Sequence, residues 1–372
     1  MKSRLLACFA IGSLFALPAH AEEITVAAAA PITGPQAYFG TALHNGMRMY
    51  FEEANAAGGI NGVTFVFESH DDKADPREGT LVAQRFCDDD DVVIALAHLN
   101  SGVTLPTLPI YADCGIGQVV LASNPTITQQ GHTHIVRPVA NDLAQGKLPA
   151  EHARAKLNAQ TAAIVHDKQA FGQGVSEIFE KAFKDAGGKV SSISAVNPTD
   201  VDFTALITQL KAQSPDVVYL GAVMPQLSLF AKQMKEQGLN AQLIVPDGAH
   251  HPDFISQAGA DAAEGVLISF QMPPIDANDE MKAFNAAYKE RFKEDVGAFS
   301  IFGYVAAKIV GEAVKQAKEP TREGLLEAIH NVNFDSPLGK ISFTPEGDLV
   351  VAPIFLYQVK DGNFVLVGQT SE

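Results

Sequence analysis

Three residues place polar chemistry where apolar runs end. Ser101 follows the run 92–96, Asn124 follows 118–122, and Asp247 follows 243–245. Ser101, with Gly102 beside it, would open a helix whose first backbone N–H groups have no intrahelical partner. That is a ready site for a carboxylate or other anion. Asn124 adds an amide to that hydroxyl, and Asp247 brings a carboxylate from a later part of the chain. Donors for a carboxylate and an acceptor for an ammonium are the two halves of amino-acid recognition. Carried on separate lobes, they would make binding close the cleft between them. Buried charges must be paired, so these contacts would carry specificity as well as affinity.

Reaction chemistry has less support. The chain holds no Gly-x-Ser-x-Gly elbow, no Gly-x-Gly-x-x-Gly after a strand, no P-loop and no His-Glu-x-x-His. His166-Asp167-Lys168 ends a strand where catalysis would be credible, but no nucleophile stands at a known distance from it. The tandem His250-His251 reads as capping or surface histidine rather than a metal pair. Asp71, Asp72 and Asp75 lack the glycine and closing glutamate of a calcium loop, and read as a solvated turn capping the next helix. The acids at 88–91 read as exposed. No catalytic group, metal or cofactor is expected.

The elements that must position these residues follow from periodicity. Strand-like runs at 24–30, 63–68, 92–96 and 119–122 alternate with helical stretches, and 135–138 is a further extended piece. A helix opening at Asn141-Asp142 begins a second series, with strands at 161–166, 189–195, 216–220, 243–245 and 263–270. Val175, Ile178, Phe179, Ala182 and Phe183 form one apolar stripe between them, and Phe203, Leu206, Ile207 and Leu210 another. Such alternation gives parallel sheets covered on both faces, whose ligands sit at the carboxyl ends of the strands. After a Pro- and Asp-rich segment at 272–278 come helices near 279–293, 299–317 and 322–330, then short strands. Asp361-Gly362 is the strong hairpin signal. Late helices and late strands after two α/β series imply that the chain crosses between lobes more than once. With 22 Phe and no Trp, aromatic cores and an aromatic-lined cleft are expected.

The amino terminus has a basic head, an apolar run at 5–18 and Ala19-His20-Ala21, the three parts of a secretory leader cleaved after Ala21. Cys8 comes too early in that run for a lipid-attachment box. No later segment has 18 consecutive apolar residues. The formal charge of −16 disfavours nucleic acid and favours solubility. Beyond the leader only Cys87 and Cys114 remain, near the ends of neighbouring helices in a compartment that permits disulfides. Either a bridge or two buried thiols would fit them.

From Glu22 to about Gly368 the chain resembles the leucine/isoleucine/valine-binding protein family, the periplasmic solute-binding components of branched-chain-amino-acid-type ABC importers. The motifs are Thr33-Gly34-Pro35, Ala57-Gly58-Gly59-Ile60-Asn61-Gly62, Asp71-Asp72 with Asp75-Pro76, His98-Leu99-Asn100-Ser101, Val165-His166-Asp167-Lys168 with Phe171-Gly172, and Pro246-Asp247-Gly248. The resemblance implies the type I periplasmic binding protein fold, α/β, with two Rossmann-like lobes joined by three crossings and the ligand between them. Residues 22–138 plus 272–345 would form lobe 1, and 139–271 plus 346–372 lobe 2. It further implies that Ser101 and Asn124 bind the ligand carboxylate, while the carbonyl of Ala122 and the Asp247 carboxylate take the ammonium. Phe39, Leu99, Asn100, Phe171, Val223 and Tyr304 would wall the pocket. Asn124 stands where the family usually has threonine, and Val223 where tyrosine is common. The family's usual cysteine positions are empty, so Cys87 and Cys114 would form a different bridge.

The partners implied are a small-molecule ligand and a membrane permease, with the protein a periplasmic monomer whose lobes hinge freely. Branched-chain or other apolar, proline-like, 4-aminobutyrate-like and aromatic amino acids fit the site. The competing ligand is an aromatic carboxylate without an amine, its ring held by Phe39, Phe171 and Tyr304. A receptor component that presents ligand to a membrane sensor would use the same fold.

Overall fold

The computed structural model describes residues 22–370 apart from 295 and 298. The leader expected at 1–21 lies outside the described residues.

The first half runs β1 (Glu22–Ala30), α1 (Ala37–Ala56), β2 (Val63–Asp71), α2 (Pro76–Asp88), β3 (Val92–Ala97), α3 (Ser101–Asp113), β4 (Gly117–Val119) and β5 (Ile135–Val136). These strands make one all-parallel sheet in the order β2-β1-β3-β4-β5. β3 is buried at all six positions, as a strand covered on both faces must be. A second series follows: α4 (Asp142–Ala155), β6 (Thr161–His166), α5 (Ala170–Asp185), β7 (Lys189–Ala195), α6 (Thr204–Gln213), β8 (Val217–Gly221), α7 (Gln226–Glu236), β9 (Gln242–Val245), α8 (Pro252–Ala258), α9 (Ala260–Ala263) and β10 (Leu267–Phe270). The chain then forms α10 (Asp279–Phe292), α11 (Ser300–Gln316), α12 (Arg322–Ile329), β11 (Phe334–Ser336), β12 (Gly339–Ile341), β13 (Phe355–Lys360) and β14 (Asn363–Gln369). The second sheet has the order β14-β13-β10-β9-β8-β6-β7, with β13 and β14 antiparallel additions at one edge.

The chain therefore passes between the sheets after β5, after β10 and after β12. The late helices return to the first sheet. α1 and α11 cross there so closely that a Cβ at Gly46 or Gly303 would collide with the carbonyl of Ser300 or Leu43. Arg322, at the start of α12, donates to carbonyls at the far ends of α2 and β4's approach, among them Asp89 at 2.6 Å and Cys114 at 3.4 Å. Cys87 and Cys114 are bridged, with Cα atoms 5.7 Å apart. The bridge ties the carboxyl ends of α2 and α3.

Three local expectations need correction. The run 263–270 is a strand only from Leu267, because Ala260–Ala263 forms a short helix. Asp72 is not solvated: it is fully buried, and its Oδ2 lies 2.8 Å from His98 Nδ1, while Asp75 alone caps α2. His251 caps α8, but His250 is an interior residue, stacked on Phe270 at 4.3 Å and Phe364 at 4.5 Å. In both cases the contacting residues are far away in sequence, and for Asp72 the pairing with His98 makes burial tolerable.

Candidate functional site: a cleft between the two sheets

The turns that follow β1, β3, β4, β6, β8, β9 and β10 meet in one cleft, at the carboxyl ends of both sheets. Its inner chamber has a volume of about 50 Å³. Gln36, Phe39, Leu99, Asn100, Ser101, Leu121, Ser123 and Phe299 line it from the side of the first sheet. Phe171, Val223, Asp247, Gly248 and Gln271 line it from the other. An outer chamber of about 470 Å³ shares Gln36, Asn100, Ser101, Phe171 and Val223 with it and opens past Lys73, Asp167 and Met224.

On the first side the groups are neutral and fixed. Ser101 is the first residue of α3, 1% exposed, and its Oγ accepts the Asn124 N–H at 3.3 Å. The N-cap residue Asn100 makes no capping bond with its side chain, which instead donates to Gln36 Oε1 at 2.9 Å. The helix entrance thus keeps N–H groups available to an anion. Behind it, the buried Asp72–His98 pair holds the turn that carries Leu99 to Ser101. Arg137 holds the neighbouring turn. Fully buried, it binds Asp348 through Nε at 2.8 Å, the Asn124 carbonyl at 2.8 Å, the Ala122 carbonyl at 3.3 Å and Thr128 Oγ1 at 3.0 Å. Asp348 lies on the third crossing, so this one cation joins the site to the hinge.

On the second side stands an acid. Asp247 opens a single 3-10 turn two residues after β9 and is 9% exposed. Burial raises its pKa to about 7, against the lowering effects of hydrogen bonds from Gln145 and the Gly248 N–H. Gln271 Nε2 also donates to its Oδ2, at 3.1 Å. No lysine or arginine pairs with it among the described residues. Of the aromatic residues, Phe39 and Phe299 meet edge to face at 4.7 Å and form one wall.

Seven of the residues expected at a ligand are therefore together: Phe39, Leu99, Asn100, Ser101, Phe171, Val223 and Asp247. Three are not. Tyr304 lies on the far side of α11, its hydroxyl donating to Glu53 at 2.8 Å and its ring against Tyr50 and Phe284. Phe299, just before that helix, supplies the wall instead. The Ala122 carbonyl faces Arg137, whose guanidinium makes it a poor partner for a second cation. The Asn124 side chain is spent elsewhere. Its Oδ1 accepts from Thr126, and its Nδ2 reaches across the cleft to the Ala170 carbonyl at 2.7 Å. Gln36, Leu121, Ser123, Gly248, Gln271 and Phe299 were missed; Gln36 and Phe299 directly precede helices and Gln271 directly follows a strand, which was the available signal for those three. Among the described residues no group of three or more His, Cys, Asp or Glu could hold a metal.

Two sheets whose strand ends enclose a cleft, with three crossings behind it, define a type I periplasmic binding protein. A model of the periplasmic binding protein family matches residues 23–363, and the chain belongs to that family, in its Leu/Ile/Val-binding branch. The leucine-, isoleucine-, valine-, threonine- and alanine-binding protein of Pseudomonas aeruginosa is 32% identical over 93% of this chain and 92% of its own. The leucine-binding protein LivK of Thermotoga maritima has a TM-score of 0.86 at 26% identity, covering 93% of this chain and 98% of that one. A solute-binding protein of R. palustris in complex with benzoate has the same fold, with a TM-score of 0.84 at 21% identity over 93% and 96% of the two chains.

Proposed function

We propose that the protein captures an amino acid, branched-chain or otherwise apolar, between its two lobes and delivers it to an ABC importer. One observation carries the reading: Asp247, a buried acid without a cationic partner among the described residues, faces across the cleft from a helix entrance at Ser101 with no side-chain cap. An ammonium would pair the acid, and the carboxylate of the same ligand would meet the N–H groups and hydroxyl at Ser101. The P. aeruginosa relative, named for five amino acids, supports this choice of ligand. Leu99, Leu121, Phe171, Val223 and the Phe39–Phe299 wall would receive the apolar side chain. In this reading the protein binds without turning its ligand over, acts as a periplasmic monomer after removal of residues 1–21, and divides into 22–138 plus 272–345 and 139–271 plus 346–372.

Calorimetric titration of unfolded and refolded protein with amino acids and aromatic carboxylates tests the proposal. Tight binding of an amine-bearing ligand, lost in Asp247→Ala, is the expected result. Binding of benzoate-like compounds alone, indifferent to that substitution, would transfer the protein to aromatic uptake, a use that the Phe39–Phe299 wall also suits.

A further inference from the structure

Asp247 has a second carboxyl behind it. Asp142, the first residue of α4, is fully buried, and its backbone N–H donates at 2.9 Å to the carbonyl of Ser123, which lines the cleft. The amide of Gln145, one turn along α4 and also fully buried, stands near both acids. It donates to Asp142 Oδ1 at 3.2 Å and lies close enough to Asp247 to lower its pKa. Three atoms of this cluster are sealed from solvent and lack any hydrogen-bond partner: Asp142 Oδ2, Gln145 Oε1 and the Tyr219 hydroxyl. Tyr219, on β8, lies within electrostatic reach of both acids.

The charges around the pair do not balance. From the loop after β5 comes Arg137, but its guanidinium is already held by Asp348, Thr128 and two carbonyls. From α1 the Tyr38 hydroxyl faces Asp247 and Asp253, and from the turn before α8 His251 is engaged with Asp253. β10 contributes only the neutral amide of Gln271. Two neighbouring carboxyls in such a setting cannot both ionise. A proton on Asp142 would also supply the donor that the sealed acceptors lack.

We propose that Asp142 and Asp247 are a proton-holding acid pair, and that the ligand's ammonium enters in exchange for the proton, which leaves to solvent. The exchange rests on the amino-acid reading above; the pair does not. Burial agrees with it, raising Asp247 to about 7, and burial together with repulsion from Asp247 raises Asp142 to about 8. Asp247 thereby gives up its proton as the amine arrives, while Asp142 keeps its own.

The first arm of the test needs no ligand. In carboxyl-¹³C NMR of aspartate-labelled protein, with Asp142→Asn and Asp247→Asn assigning the two signals, both acids should titrate above pH 6. Midpoints near 4 for both overturn the proposal. The second arm titrates L-leucine in buffers of different ionisation heat. About one proton should be released per ligand at pH 6 and little above pH 8. In ligand-free Asp247→Asn the Asp142 midpoint should fall, because the repulsion that helps to raise it is gone, a change that a packing role would not produce. Leucine binding with no proton released overturns the exchange, and an unmoved Asp142 midpoint in Asp247→Asn overturns the pair. If only benzoate binds while both midpoints stay high, the amine reading and the exchange fail together and the pair stands.

Discussion

The two sides of the cleft are built by opposite rules. On the first side the polar groups are neutral and the side chains are held in place: Ser101 with Asn124, Asn100 with Gln36, the 122–128 turn with Arg137. On the second side one acid is exposed to the ligand, supported by amides alone. The first side resembles a mould, the second an unfilled valence. The difference teaches where selectivity resides. A preorganised cradle of N–H groups and a hydroxyl accepts many carboxylates, whereas a buried acid rejects any ligand that cannot neutralise it.

Removing the acid should have the largest effect on binding. Asp247→Ala is expected to weaken an amine ligand by roughly 3–5 kcal/mol, the usual effect of breaking a buried charge pair, measured by calorimetry against the parent protein. A loss below tenfold would mean that the two sides are not divided in this way. Arg137→Ala is expected to lower stability by a similar amount, about 3–5 kcal/mol, since it strands Asp348 and frees the turn that carries Ser123. Thermal unfolding would show it, and retention of the parent midpoint would deny Arg137 its place in the frame. Cys87→Ser with Cys114→Ser should cost about 3–4 kcal/mol on the chain-entropy model while sparing affinity, because the bridge lies at the opposite ends of α2 and α3 from the cleft. Ser101→Ala should weaken binding by only about 1–1.5 kcal/mol, as the helix N–H groups remain. If it proves as damaging as Asp247→Ala, the first side is the selective one.

A pH series sharpens the same contrast. Asp142 and Asp247 hold their protons more firmly folded than unfolded, with folded values of about 8 and 7 against an ordinary 3.8. Their contribution to stability is complete below pH 4 and is lost as pH rises through those folded values. Unfolding of ligand-free protein should therefore report falling stability between about pH 4 and 8 from these groups, absent in the Asp142→Asn, Asp247→Asn double variant.

Strand–helix alternation was legible in the sequence because each parallel strand is a short unbroken apolar run and each helix shows its stripe. Ser101 and Asp247 were legible for a related reason: they stand just past such runs, where the fold must gather loops. What was hidden depends on partners far along the chain. Nothing near Ala122 says that its carbonyl will face Arg137, and nothing near Asp72 announces His98. Tyr304 and Phe299 lie five positions apart around one helix start, and only the helix's rotation decides which ring meets the cleft. The Asn124 amide reads as a ligand donor until Ala170, on the other lobe, is seen to take it.

That last bond has a consequence for timing. It joins the lobes through protein atoms alone, so part of the force that shuts the molecule need not come from cargo. A stronger bond would slow escape of captured ligand, but it would also keep more empty molecules shut, unable to load. Shut empty molecules would present any membrane partner with the outline of a full one. One amide thus trades retention against readiness, and its strength bounds how sparse a solute the protein can usefully collect.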